Sequence, residues 1–167
     1  MYDAIVVGGR CGGAATAMLL ARQGHKVLIV DQATLPSDVR LSTHLIWHAG
    51  VDLLHKWGLL EAVKATGCPL LTKFSLRGQP PGTTVGAAIG PRRFALDKVL
   101  LDAALAAGAE LRQGVTFEDV LKEGDRVTGI RGRLQDGSAF TAHAKVVVGA
   151  DGTHSRVART VGADAYN

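Results

Sequence analysis

The residues best suited to chemistry in this sequence stand in three places. The first is Gly8-Gly9-Arg10-Cys11-Gly12-Gly13, followed further on by an acid, Asp31, with Gln32 beside it. The second is Arg93, and the third is the pair Asp151-Gly152. A glycine-rich turn that opens a helix presents backbone N–H groups and a partial positive charge, which suits a pyrophosphate. An acid about 20 residues on can accept hydrogen bonds from both hydroxyls of a ribose. Gly8 permits a tight turn off a strand, and Gly13 lets a helix lie close to the sheet. The chemistry implied is capture of the ADP half of a dinucleotide. One position departs from the G-x-G-x-x-G spacing, because its middle glycine is Arg10. Two readings stand: Gly9 takes over the close approach to phosphate, or Arg10 bends away and pairs its guanidinium with phosphate or adenine.

Arg93 sits in a loop just before a helical stretch, where a cation can meet phosphate; the alternative is a solvated surface arginine. Asp151 follows an apolar run, at the carboxyl end where ligands bind in open α/β sheets. Asp-Gly-Thr-His-Ser is also good helix-capping chemistry, and both roles can hold. His44, His48 and His55 have a spacing that invites a metal, but no acid or cysteine completes a site. They read instead as helix-surface histidines, and no metal is expected. Cys11 and Cys68 fit neither a metal spacing nor a C-x-x-C motif. Cys11 reads as a small half-buried filler, and free thiols suggest a reducing compartment.

These groups need elements to position them. Asp3 to Val7 is a short β-branched run, as in a strand buried on both faces; Ala14 to Gln23 has helical periodicity; and Gly24 is placed to end that helix left-handed. Val27 to Val30 is a second buried strand ending at Asp31, which completes a βαβ unit. Pro36, Ser37 and Asp38 mark a loop. Gly50 to Lys64 reads as a helix broken at Trp57-Gly58, and Thr72 to Gln79 with Thr83 to Ile89 as an antiparallel hairpin. Phe94 to Gly108 is an amphipathic helix, followed by a short strand over Ala109 to Arg112. Turn residues then divide Val115 to Lys122, Arg126 to Leu134 and Ser138 to Ala144 into a β-meander. A further buried strand is expected from Ala144 into Gly149, and a short helix from Thr153.

At 167 residues there is room for one domain with a sizeable core, and no linker-like stretch is visible. Hydrophobic content of 47% with 20% charged residues is that of a globular domain. The net charge of +4 is spread out, without a basic stripe interleaved with aromatics, so nucleic acid is not an expected partner. No signal-peptide pattern and no apolar run near 18 residues is present, so a membrane is not expected and a cytoplasmic location is.

Three signatures together resemble the N-terminal part of FAD-dependent oxidoreductases of the aromatic-hydroxylase type, the group that includes para-hydroxybenzoate hydroxylase. They are the opening βαβ unit, Arg93 with the alanine-rich helix to Gly108, and Val146-Val147-Val148-Gly149-Ala150-Asp151-Gly152-Thr153-His154-Ser155-Arg156. The stretch Arg40 to Trp57 also resembles one branch of flavoprotein monooxygenases. The resemblance implies an α/β, Rossmann-like FAD/NAD(P)-binding fold with a parallel sheet, a β-meander crossover and a small antiparallel hairpin. Residues 1–167 would be the FAD-binding domain, incomplete, with 72–90 on the substrate side. Gly8, Gly9, Arg10, Cys11, Gly12 and Gly13 would hold the pyrophosphate and Asp31 the adenosine ribose, with Gln32 beside it also among the cofactor-binding residues. The loop bearing Arg40, Ser42 and Leu45 would pass near the flavin ring. Arg93 would reach the pyrophosphate or ribityl chain, the backbone around Phe117 the adenine, and Asp151-Gly152 the flavin side.

The activity implied for an intact protein is monooxygenation of an aromatic or similar small molecule, with FAD as cofactor, NADH or NADPH as co-substrate, and O₂. No catalytic residue is assigned. Two rival readings are another flavin reaction on the same scaffold, reduction or halogenation, and a catalytically inactive fragment or assembly module. The later Gly-Asp-Ala motif and the substrate-wall sheet of that family are absent here, and its members run to roughly twice this length or more, as two-domain chains do. A fragment of this kind is expected to be inactive alone and to associate, as a homodimer, through surface left bare.

Overall fold

Strand β1 (Tyr2–Val7), helix α1 (Cys11–Arg22) and strand β2 (Val27–Asp31) form the βαβ unit read from the sequence. A computed structural model describes residues 1–37, 44–71 and 87–164. Gly24, at φ 85°, ends α1 in the left-handed region. The remaining elements are α2 (His48–Lys56), α3 (Leu60–Lys64), β3 (Leu70–Leu71), β4 (Ala88–Ile89), α4 (Arg93–Ala106), β5 (Glu110–Gln113), β6 (Thr116–Glu123), β7 (Arg126–Arg133), β8 (Ala139–Gly149) and α5 (Arg156–Val161). The chain divides into two compact units, one of residues 1–37 and 100–167, the other of residues 38–99.

The first unit carries a six-stranded sheet in the order β5-β2-β1-β8-β7-β6. β5, β2, β1 and β8 run parallel, and β8, β7 and β6 run antiparallel as a meander. Alternation along β1 sorts its side chains to two faces. Ile5 and Val7, with Leu28 and Val30 of β2, join one apolar cluster with Val115, Phe117, Val120, Ile130, Ala142 and Val157. The meander and α5 therefore cover that face. Val6 faces α1, whose Gly13 comes so near that a Cβ there would lie 3.1 Å from Val6 Cγ1. Small residues on α1, Ala14, Ala17 and Ala21 with Met18, are buried and permit that closeness.

Two expectations are corrected. The third meander strand and the following buried strand are one strand, β8. Ala139 to His143 pairs antiparallel with β7, and Ala144 to Gly149 pairs parallel with β1. No glycine or proline lies between them, so nothing in the chain forces a turn. The second half of β8 is also not buried, since Val146 is 55% exposed. Its apolar run had suggested cover on both faces, but among the described residues beyond His143 the strand pairs only with β1.

At the base of the sheet, Lys145 Nζ donates to Asp3 Oδ1 at 2.6 Å, and Lys26 N–H donates to Asp3 Oδ2 at 2.8 Å. The lysine first, then that N–H, hold the Asp3 carboxyl below its ordinary value. A lowered carboxyl stabilises the fold above its unfolded value and loses that contribution as pH falls through the folded one. Solvent exposure keeps the effect small.

In the second unit, α2 and α3 are separated at Trp57 and Gly58, the latter at φ 74°, as the sequence indicates. β3 and β4 pair antiparallel, Leu70 with Ile89 and Leu71 with Ala88. β4 is the end of the expected second hairpin strand, whereas β3 lies just before the expected first one, Thr72 to Gln79; residues 72–86 lie outside the described residues. Ile46 forms an antiparallel bridge with Ile89.

Candidate functional site: the carboxyl ends of β1, β2 and β8

β1 has β2 on one side and β8 on the other, and the chain reached these neighbours in opposite directions from β1. That is the topological switch point of an open parallel sheet, and ligands bind in the crevice outside the carboxyl ends there. The glycine turn lies in that crevice. Gly8 N–H donates to Val30 O at 2.8 Å, and Ala150 N–H donates to Val7 O at 2.8 Å. Gly8 has φ 103°, and a Cβ on it would lie 2.3 Å from Ala150 O. Gly8 is therefore wedged between the ends of β2 and β8, where no larger residue fits.

Asp31 braces this turn. Its Oδ2 accepts the Gly9 N–H at 2.8 Å, and its Oδ1 accepts the Ala33 N–H at 2.8 Å. Each carboxylate oxygen has capacity for a second donor, so the ribose role read from the sequence remains open to Asp31. The bond to Gly9 adds a positioning role that the sequence did not show. Gln32, next to it, is exposed.

The structure separates the glycines by what forces them. A Cβ on Gly9 would meet Leu35 Cδ1 at 2.6 Å and Ile29 Cγ2 at 3.1 Å, so Gly9 makes room for the protein's own side chains. A Cβ on Gly12 would meet nothing within 4 Å. Gly12 sits exposed in the first turn of α1, where glycine is unfavourable for the helix and no neighbour requires it. α1 also has no side-chain cap and no acid in its first turn. An uncapped helix end with an open glycine fits an anion arriving from outside. Gly12→Ala is expected to raise the stability of the ligand-free protein by about 0.5 kcal/mol while weakening binding of any ADP-bearing ligand. Thermal unfolding and equilibrium binding of ADP measure the two opposite signs.

Arg10 precedes α1 with extended backbone, φ −88° and ψ −164°, so glycine's conformational freedom is not needed there. Its Nη2 donates to Ser37 Oγ at 2.7 Å. The partner of the Arg10 guanidinium in this structure is therefore a hydroxyl. Cys11, the first residue of α1, is half-buried and in no disulfide.

Asp151 lies at the end of β8 with both oxygens engaged. Ser155 Oγ donates to Oδ1 at 2.5 Å, and the N–H groups of Arg156 and Val157 donate to Oδ2 at 2.6 and 3.2 Å. Ser155 Oγ in turn accepts the Ala158 N–H at 2.9 Å. Asp151 thus caps α5, one of the two roles read from the sequence, and Gly152 at φ 92° makes the turn between them. Phe117 is buried in the core, and its carbonyl accepts Arg156 Nη1 at 3.2 Å.

The second unit holds Leu45 and Arg93, while Arg40 and Ser42 lie outside the described residues. Arg93 is the first residue of α4, and its Nη2 donates to both oxygens of Asp97, at 3.2 and 3.3 Å. Asp97 is 2% exposed. The sequence reading missed it, although an arginine four residues before an acid on one helix face is a legible pair. The three histidines do not share a setting: His48 and His55 are exposed on α2, whereas His44 precedes it in a left-handed turn. That corrects the helix-surface reading for His44. Among the described residues, no group of three or more His, Cys, Asp or Glu could hold a metal ion, and no helix is long and apolar enough to cross a membrane.

Comparison with known proteins gives this crevice its context. A family model described as an FAD binding domain matches residues 1–167. A digeranylgeranylglycerophospholipid reductase of Methanocella arvoryzae is 34% identical over 96% of this chain and 42% of its own length. The structure of the myxobacterial chondrochloren halogenase CndH is similar at TM-score 0.84 and 28% identity, covering 95% of this chain and 39% of that one. The anhydrotetracycline hydroxylase OxyS of Streptomyces rimosus is similar at TM-score 0.83 and 25% identity, covering 98% and 34%. The chain thus spans about two fifths or less of the length of these relatives. It belongs to the FAD binding domain family of FAD-dependent oxidoreductases.

Proposed function

We propose, from that membership, that this chain holds the ADP half of FAD in an oxidoreductase whose reaction is the monooxygenation of an aromatic or similar small molecule with NADH or NADPH and O₂. The observation that carries the binding part is the set of four features at one crevice: the wedged Gly8, the open Gly12, the uncapped α1 and the Asp31 carboxylate. The N–H groups of the first turn of α1 take the pyrophosphate, and the open side of Gly12 lets it approach. The Asp31 oxygens accept from the ribose hydroxyls while still holding Gly9. Arg10 can trade its hydroxyl partner Ser37 for a phosphate oxygen, a stronger charge-assisted bond. Arg93 contributes a cation to the pyrophosphate or ribityl chain. The bound flavin supplies the electron-transfer chemistry, and the protein supplies placement and exclusion of water.

Similarity to a hydroxylase over 98% of the chain supports the monooxygenase reading. A second reading, reduction of a double bond, is favoured by the higher identity, 34%, to a reductase. Product analysis of the intact protein with FAD, NADPH and O₂ separates them. A hydroxylated product supports the first reading; a reduced alkene with no oxygenated product sinks it. The binding part is checked apart from turnover. The chain is expected to bind ADP in competition with FAD, and a purified protein that neither shows flavin absorbance near 450 nm after reconstitution nor binds ADP would refute it.

A further inference from the structure

His44 has no part in the reading above, yet its geometry is specific. It is a non-glycine residue in the left-handed region, with φ 54°. Such backbone is sterically disfavoured and persists only where its surroundings hold it, most often at functional positions. Here the surroundings are defined. Two residues on, Ile46 N–H donates to Ile89 O at 2.8 Å, and Ile89 N–H donates to Ile46 O at 3.0 Å. The His44 carbonyl passes close to Gly90, 3.6 Å from where a Cβ would stand. Held this way, the imidazole reaches the start of α4, and its Nδ1 accepts the backbone N–H of Arg93 at 3.3 Å across 49 positions of chain.

That N–H is one of those a helix leaves without an internal acceptor. The local sequence Gly90-Pro91-Arg92 supplies no Ser, Thr, Asp or Asn to take it. A ring that accepts at Nδ1 carries its N–H at Nε2. Arg93 is therefore fixed at both ends. His44 holds its backbone, and Asp97, one turn along α4, holds its guanidinium through the bonds at 3.2 and 3.3 Å.

We propose that His44 is a positioning residue for Arg93, setting the backbone from which that arginine presents its charge to the phosphate or ribityl oxygens of the cofactor. The proposal rests on the reading that Arg93 meets the cofactor, and the experiment tests the two separately. In the intact flavoprotein, the dissociation constant for FAD is measured for His44→Gly, His44→Asn, Arg93→Ala and the His44→Gly/Arg93→Ala double variant, with thermal unfolding recorded for each. Glycine accepts the left-handed backbone but has no side-chain acceptor. Asparagine tolerates that backbone and places Oδ1 where Nδ1 stood. A purely conformational role for His44 would be met equally by both.

His44→Gly is expected to weaken FAD binding by up to about tenfold, the upper end of the loss for one hydrogen bond between neutral groups. His44→Asn is expected to restore it to within about twofold. Arg93→Ala is expected to weaken binding at least as much, and the double variant no further than Arg93→Ala alone. Wild-type affinity in His44→Gly overturns the proposal, and so does a loss that asparagine fails to restore. Weakened binding in His44→Gly beside unchanged binding in Arg93→Ala overturns it as well, because His44 would then act without the arginine. Unchanged binding in Arg93→Ala by itself refutes the Arg93 reading. Should His44→Gly not fold, His44→Gln, which moves the amide oxygen one bond outward, takes its place with the same expectations.

Discussion

Gly13→Ala is expected to destabilise the protein by at least about 3 kcal/mol, the upper end of what overpacking costs, and to abolish cofactor loading. A Cβ at this position would lie 1.7 Å from Gly8 O and 2.9 Å from Gly8 C, with Val6 Cγ1 at 3.1 Å. The first two atoms are backbone and cannot rotate away. Relief requires α1 to move off the sheet, which opens the contacts of Ala14, Ala17 and Met18, all buried. The same movement takes the helix N-terminus away from the crevice, so stability and binding fall together. Urea unfolding with a flavin titration measures both. A midpoint equal to that of the wild type would show that α1 has slack, and would remove the argument that Gly13 sets the closeness of helix and sheet. Gly12→Ala, one residue earlier, separates stability from binding, because its Cβ meets only open space.

Asp97→Ala is expected to destabilise by about 2–3 kcal/mol. Breaking a buried ion pair by removing one partner costs roughly 3–5 kcal/mol, and this pair falls below that range because the Arg93 side chain keeps 24% of its surface exposed. Asp97 itself is 2% exposed, so its carboxylate has given up nearly all contact with solvent and depends on its protein partners. Asp97→Asn retains an acceptor without the charge and is expected to cost about half as much. Thermal unfolding of both variants checks the order. An Asp97→Ala protein as stable as the wild type would show that Arg93 finds an equivalent partner.

Much of the site was readable because its logic is local. Gly8, Gly13, the helix that follows and Asp31 lie within one βαβ unit, where spacing along the chain determines spacing in the fold. The same holds for Asp151, which caps a helix starting five residues later at Arg156. Arg10 was recognisable as a departure, but its partner Ser37 was not, since it lies 27 positions away across β2. The continuity of β8 was hidden for a related reason. A strand that changes partners from β7 to β1 carries no turn residue to mark the change, and its two halves read as separate strands.

By itself the sequence determined the opening βαβ unit, the parallel sheet with its meander, and a glycine-rich turn that opens a helix. Each follows from hydrophobic periodicity and turn chemistry acting over a few residues. The tertiary structure alone decided which glycines serve the protein's own packing and which leaves room for a ligand. It alone tied Asp31 to Gly9 and brought His44 to the N-terminus of α4. Those outcomes depend on atoms brought together from distant parts of the chain, and a Cβ clash or an accepting nitrogen has no signature until the backbone has closed around it.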